Sequence, residues 1–200
     1  MEPRNARSIT MKIVLASESP FRRRALEMLD LKFEICPSGI DEKATRDPDP
    51  ASLTQRLAEE KAASVAQNYR DQEVVIVSAD AVAAKAGIIF EKPRDYAEAA
   101  QFLRDLSAST FHFVTSVCVL NSRTQYKSSA VGTSEITFRE LTDAEINHYI
   151  RTHEVLRHAG AFESNAVLRF SERICGSYNF VTAIPMSQFV ILLRAHGVAV

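Results

Sequence analysis

Little in this chain of 200 residues is present in excess. Its 24 lysines and arginines face 25 acidic residues, a net charge of −1, which withholds the broad basic footprint that a nucleic-acid groove requires. No stretch reaches the ~18 apolar residues of a membrane span. Residues 1–10, MEPRNARSIT, lack an apolar signal core and read as a loose tail, with Met11 as an alternative start. Cysteine is sparse: Cys36, Cys118 and Cys175 are odd in number and widely spaced, and Cys118 lies in an apolar run. That pattern favours reduced core thiols over disulfides or zinc, and with them a cytoplasmic setting. There is no HExxH motif. His148, His153 and His158 recur at intervals of five, which does not hold one helical face, so they read as surface or loop residues. Internal repeats, low-complexity tracts and flexible linkers are also missing, so residues 11–200 are expected to form a single domain whose lobes share one core.

What is present alternates in the manner of an α/β protein. Ile13–Ala16 reads as a short buried strand, about Pro20–Leu29 as a helix, and Leu31–Cys36 as a second strand. Asp49 and Pro50 cap and start a helix through about Gln67, with Leu53, Leu57, Ala58, Lys61 and Val65 at helical spacing. The β-branched run Val74–Ser78 predicts a covered strand that delivers Asp80 at its carboxyl end, where open α/β sheets place ligands. A hairpin around Gly87 leads to Glu91-Lys92-Pro93, and Tyr96–Leu106 reads as another helix. Phe111–Leu120 and Ser129–Phe138 predict two long antiparallel strands, and Thr142 with Glu145 a capping box. Leu168–Ile174 predicts a strand, and a last helix starts at Pro185 and ends at Gly197.

One segment breaks a local rule. Ser19 and Pro20 open a helix whose first turn carries Arg22, Arg23 and Arg24, although cations there oppose the helix dipole by roughly 0.3–1 kcal/mol each. An anion reverses the sign: free N–H groups and guanidinium forks at a helix start make a polyphosphate site. The alternative is a solvated basic face paired with Glu18 and Glu27. With Asp80, Glu42, Lys61 and Lys92, the cluster points to metal-assisted attack on a phosphate. Hard carboxylate oxygens suit Mg²⁺ or Mn²⁺, and Asp80 and Glu42 divide metal binding and water activation.

An ordered series of motifs extends this reading: Leu15-Ala-Ser-Glu-Ser-Pro20 with Arg22 and Arg23, Ile40-Asp-Glu42, Leu57-Ala-Glu-Glu-Lys61, Ser78-Ala-Asp80-Ala-Val82, Glu91-Lys92-Pro93, Ala159-Gly-Ala-Phe162, Gly176-Ser-Tyr-Asn179 and Ile184-Pro185. From about Ile13 to Gly197 the chain resembles the Maf, or septum-formation-inhibitor, family of nucleoside triphosphate pyrophosphatases. The resemblance implies an elongated mixed-sheet α/β fold of the Maf/ITPase type with two lobes around a deep cleft, often a homodimer. It implies cleavage of a nucleoside triphosphate to monophosphate and pyrophosphate. It places Asp80, Lys92 and Lys61 in the catalytic set, Ser17, Ser19, Arg22, Arg23 and Asn165 on the substrate, and Glu42 with Asp80 toward the metal.

The chain departs from the family at functional motifs. Phe21 stands between Pro20 and the arginines, which is closer to the aromatic-Arg-Arg form of the 7-methyl-GTP branch; Asn165-Ala166 replaces the usual Gln-Gly or Glu-Gly; Ala81 replaces Thr or Gln; and Ala183-Ile184-Pro185 replaces Gly-Leu-Pro. These departures leave the base open. They also keep a second reading in view, a nucleotide-binding regulatory protein of the same fold with weak or lost turnover, linked to cell division. Phe21 itself either anchors the first helix in the core or stacks on a base.

Overall fold

The computed structural model describes residues 11–200, so the expected tail at residues 1–10 lies outside the described residues. One seven-stranded mixed sheet runs through the protein. Its strands are β1 (Lys12–Leu15), β2 (Phe33–Ile35), β3 (Val74–Lys85), β4 (Ile88–Phe90), β5 (Ser109–Asn121), β6 (Lys127–Phe138) and β7 (Ser171–Gly176). The helices are α1 (Pro20–Glu27), α2 (Pro50–Ala66), α3 (Tyr96–Leu106), α4 (Asp143–Thr152), α5 (Ser164–Phe170), α6 (Asn179–Thr182) and α7 (Met186–Ala195). The sheet order is β2-β1-β3-β5-β6-β7, with β4 on the far end of β3. β1 is parallel to β2 and β3, and the remaining pairings are antiparallel.

Local signals place the helices. Asp49 accepts from Ser52 N–H at the start of α2 with Pro50 in its first turn, and Thr142 and Glu145 complete a reciprocal capping box on α4. α2 packs Ala58, Ala62 and Val65 on Val14, Ile76 and Cys118, covering one face of the sheet. On the opposite face Phe189 and Leu193 of α7 meet Ala25 and Leu26 of α1 over Val75, Val77 and Val117. A second core gathers Phe90, Leu103, Phe111, Phe138, Tyr149 and Phe162 at the other end of the long strands. The two ends of the sheet therefore carry separate apolar cores, with a cleft between.

Two expectations are corrected. Asp80 does not follow a strand that ends at Ser78: β3 continues to Lys85 because β5 pairs with it from Val75 to Ala84. The predicted strand Leu168–Ile174 is instead the end of α5 followed by β7. Val167 and Phe170 are buried while Leu168 is 67% exposed, which is a helical rather than an alternating pattern. Among the described residues no helix is long and apolar enough to cross a membrane.

The cleft follows from strand lengths. β1 pairs with β3 only up to Val77, and β4 takes over at Ala83. Between them, residues 78–82 of β3 have no strand partner on that side, and Asp80 sits in the middle of the gap. Beyond Ala16, whose N–H donates to the Val77 carbonyl at 2.8 Å, the chain leaves the sheet and swings into the loop that opens α1.

Candidate active site

The gap opens into a cleft of about 1060 Å³, large enough for a nucleotide. Its walls come from the β1–α1 loop, the segment after β2, α2, the middle of β3, the residues after β4 and the turns following α4.

At its floor three charged side chains converge. Lys61 Nζ, on the inner face of α2, lies 2.6 Å from Asp80 Oδ1 and 3.2 Å from Glu42 Oε1. Lys61 and Asp80 are both buried. Helix and strand are bolted together close by: the Ser78 hydroxyl donates to the Ala58 carbonyl and the Ser116 hydroxyl to the Thr54 carbonyl, each at 2.5 Å. These two bonds, four residues apart on α2, fix the turn from which Lys61 projects. Glu42 sits in a short turn that Asp41 caps by accepting from Lys43 N–H, and its other oxygen meets Lys92 Nζ at 3.2 Å. Burial raises the Glu42 pKa, but Lys61 and Lys92 outweigh it and hold the carboxyl below its ordinary value.

The arginine run divides. Arg22 turns inward, donating from Nη1 to Ser17 Oγ at 3.2 Å, while its Nε is buried without a partner. Burial lowers the Arg22 pKa, opposed by the charges of Asp80 and Glu42. Ser17 Oγ also accepts from Ser19 N–H, and Ser19 caps α1 by accepting from Arg22 N–H. Arg23 points elsewhere: one residue on is about 100° around a helix, and it stands in solvent 3.8 Å from Glu27, outside the cleft lining. Arg24 is exposed as well.

Asn165 also lies apart from the cleft lining. It is exposed on the first turn of α5 and reaches the cleft only through Glu163, whose Oε1 its Nδ2 approaches at 3.5 Å. The structure therefore unites Ser17, Ser19, Arg22, Glu42, Lys61, Asp80 and Lys92 around one cleft and leaves Arg23 and Asn165 outside it.

Sequence reading missed other lining residues. His153 and His158 are half-buried in the wall on either side of Glu163, and Phe21 meets His158 edge to face at 5.5 Å between ring centres. Phe21 is thus half-buried at the cleft, outside the main cores. Gly160 shapes this wall: its φ is +69°, its N–H donates to the Glu91 carbonyl at 3.1 Å, and a Cβ there would stand 2.5 Å from the Phe162 ring. In the sequence the turn is marked by the Ala159-Gly-Ala-Phe162 motif, whose glycine supplies the positive φ.

A family model described as Maf-like protein matches residues 12–196. The chain belongs to the Maf family. Two relatives span nearly its whole length. The dTTP/UTP pyrophosphatase of Deinococcus radiodurans is 38% identical over 189 residues, covering 94% of each chain. That of Alkaliphilus metalliredigens is 34% identical over 187 residues, covering 92% of this chain and 96% of its own. Among solved structures, a HAM1 protein from Coxiella burnetii superposes with a TM-score of 0.52 at 15% identity, over 93% of this chain and 100% of that one. That likeness speaks to the fold, and the mixed-sheet α/β architecture expected from the Maf resemblance is the one observed.

Proposed function

We propose that this Maf chain hydrolyses a nucleoside triphosphate between its α and β phosphates, giving the monophosphate and pyrophosphate. The observation that carries the reading is Arg22, a guanidinium with a buried, partnerless Nε turned into the same cleft as Lys61, Lys92, Asp80 and Glu42. Burying such a donor is costly unless an anion meets it, and a triphosphate supplies one. The names of the relatives support the same reaction class.

Within that reading Asp80 is the general base. It is fixed in place by β5 on one side and by Lys61 at 2.6 Å, and its position in the strand gap lets it face a water poised beside the α phosphorus. Transfer of the water proton to Asp80 accompanies formation of the new P–O bond and departure of pyrophosphate. Arg22, Lys61 and Lys92 hold the phosphate oxygens and stabilise charge on the leaving group. Ser17 and Ser19 orient Arg22 and the loop that carries it.

The donor set fits a divalent cation. Among the described residues no cluster of three or more His, Cys, Asp or Glu forms a complete metal cage, while Glu42 and Asp80 both approach one ammonium within 3.2 Å. Magnesium or manganese held by one or two carboxylates together with substrate phosphates matches this arrangement. Glu42 and Asp80 would hold it, and it would supply charge neutralisation at the phosphates. A homodimer acting on a cytoplasmic nucleotide pool completes the proposal, in keeping with three free thiols.

The decisive experiment incubates the protein with nucleoside triphosphates and Mg²⁺ or Mn²⁺ and identifies products by phosphorus NMR. Monophosphate and pyrophosphate are expected. Orthophosphate with a diphosphate would overturn the assignment, and binding without turnover would favour the regulatory reading.

A further inference from the structure

Glu163 occupies an unusual position. It is the residue preceding α5, where a carboxylate commonly caps the helix, yet its side chain makes no capping hydrogen bond. Instead it lines the cleft, with a side-chain exposure of 18%. Its oxygens lie 3.8 Å from His153 Nε2 and 4.0 Å from His158 Nε2, both beyond hydrogen-bond reach. The Asn165 amide at 3.5 Å is at the limit of a bond. A half-buried carboxylate is left facing the cleft with its accepting capacity largely unused.

The surroundings decide what it faces. The backbone of this wall is tied to the core: Glu163 N–H donates to Tyr149 Oη at 3.2 Å, and Tyr149 is buried. His158 beside it is pulled below its ordinary pKa by burial, against the opposing pull of Glu163 and Glu154, which leaves the imidazole neutral at physiological pH. On its other side His158 touches Phe21, the residue immediately before Arg22. A path of contacts thus runs from the phosphate-facing guanidinium through Phe21 and His158 to Glu163. A nucleotide whose phosphates meet Arg22 would lie with its base along this aromatic wall.

We propose that Phe21, His158 and Glu163 form the nucleobase subsite, with Glu163 selecting a base whose edge carries two adjacent N–H donors, as guanine does. The proposal rests on the triphosphate reading above. An ionised carboxylate accepts only and offers two oxygens side by side, which match guanine N1–H and N2–H₂ as a bidentate pair. Uracil and thymine place a carbonyl on each side of a single N–H, so at least one carboxylate oxygen would face another lone pair. Adenine and cytosine each pair one amino donor with a ring acceptor. A site built around a hydrogen-bonding group rejects ligands that leave it unpaired far more strongly than an apolar pocket rejects a misfit. The chemistry of this wall therefore opposes the pyrimidine triphosphates for which the two relatives are named.

The test compares wild-type protein with Glu163→Gln and Glu163→Ala. Calorimetry with GMP and UMP reads base discrimination without chemistry, and kcat/KM for GTP and UTP reads it during turnover. Wild-type protein is expected to bind GMP at least about tenfold tighter than UMP. Glu163→Gln, whose amide both donates and accepts, should erase at least about tenfold of that ratio. Glu163→Ala should lower GMP affinity while leaving UMP affinity unchanged or higher. If the monophosphate ratio behaves this way but no triphosphate is hydrolysed, the subsite stands and the pyrophosphatase reading falls. A wild-type preference for UMP, a ratio unaltered in both variants, or no binding of either monophosphate at millimolar concentration overturns the subsite.

Discussion

Lys61 and Asp80 form an ion pair with Nζ to Oδ1 at 2.6 Å, both side chains more than nine-tenths buried, and Lys61 alone has a second carboxylate, Glu42, within 3.2 Å. The pair is therefore asymmetric. Lys61→Met removes the only ion-pair partner that a buried carboxylate has among the described residues and is expected to cost about 3–5 kcal/mol of stability. Asp80→Asn leaves Lys61 paired with Glu42, so it should cost less stability while lowering kcat by roughly 10²–10⁴. Urea unfolding and steady-state kinetics on both variants check this. Near-wild-type kcat in Asp80→Asn removes Asp80 as the base.

Adjacent arginines should behave differently. Arg22→Ala is expected to raise KM, lower kcat or both, according to whether its contact is made equally in the ground state or only in the transition state. Arg23→Ala breaks an exposed pair at 3.8 Å and should leave both constants within about twofold. Pyrophosphate should raise the melting temperature of wild-type and Arg23→Ala proteins by similar amounts, and that of Arg22→Ala by much less. Equal responses from all three would place the phosphates elsewhere.

The hydroxyls of Ser78 and Ser116 hold α2 to the sheet. Ser78→Ala and Ser116→Ala are each expected to cost about 0.5–1.5 kcal/mol, since the helix carbonyls keep their intrahelical partners. The double variant should also lose activity at saturating substrate, because the turn carrying Lys61 is then free to shift. Full kcat in the double variant would show that packing alone positions Lys61.

Cys118 is fully buried on β5, and burial pushes its thiol up to about 11. Because the pKa is raised, the reactive thiolate is scarce at pH 8, about one part in a thousand. Alkylation of native protein at that pH should therefore modify Cys36 and Cys175, which are half-buried, and spare Cys118 until denaturant is added. Mass spectrometry of the modified peptides decides the matter, and rapid native labelling of Cys118 would contradict the packing.

The parts of the fold that the sequence made legible are those governed by neighbours in the chain. Asp49 with Pro50 and Thr142 with Glu145 mark helix starts by local hydrogen bonds, and both are observed. The extension of β3 through Asp80 depends on pairing with β5, some 40 residues later, so a local run ending at Ser78 could not reveal it. The α5 segment misled because Leu168 and Phe170 are apolar enough to open a strand, and only burial separates one from the other. In the site, Asp80, Glu42, Lys61 and Lys92 were legible as chemistry. Which of Arg22 and Arg23 faces inward is a matter of helical phase, invisible in a run of like residues. Glu163, His153 and His158 share no sequence period, since a turn, a Gly160 with positive φ and α5 together bring them to one wall.

The break in pairing along β3 also bears on solubility. A strand edge with free backbone groups usually invites another chain to add a strand, and proteins blunt such edges with lysine, proline or bulges. Here Ser78-Ala-Asp-Ala-Val82 carries no lysine or proline. Flanked by β1 and β4 in its own sheet, that edge lies at the bottom of a recess too short for a foreign strand to enter. Filling the break by lengthening β1 or β4 would exchange the recess for a continuous sheet, so the unpaired edge is protected by its neighbours' shortness and not by its own side chains.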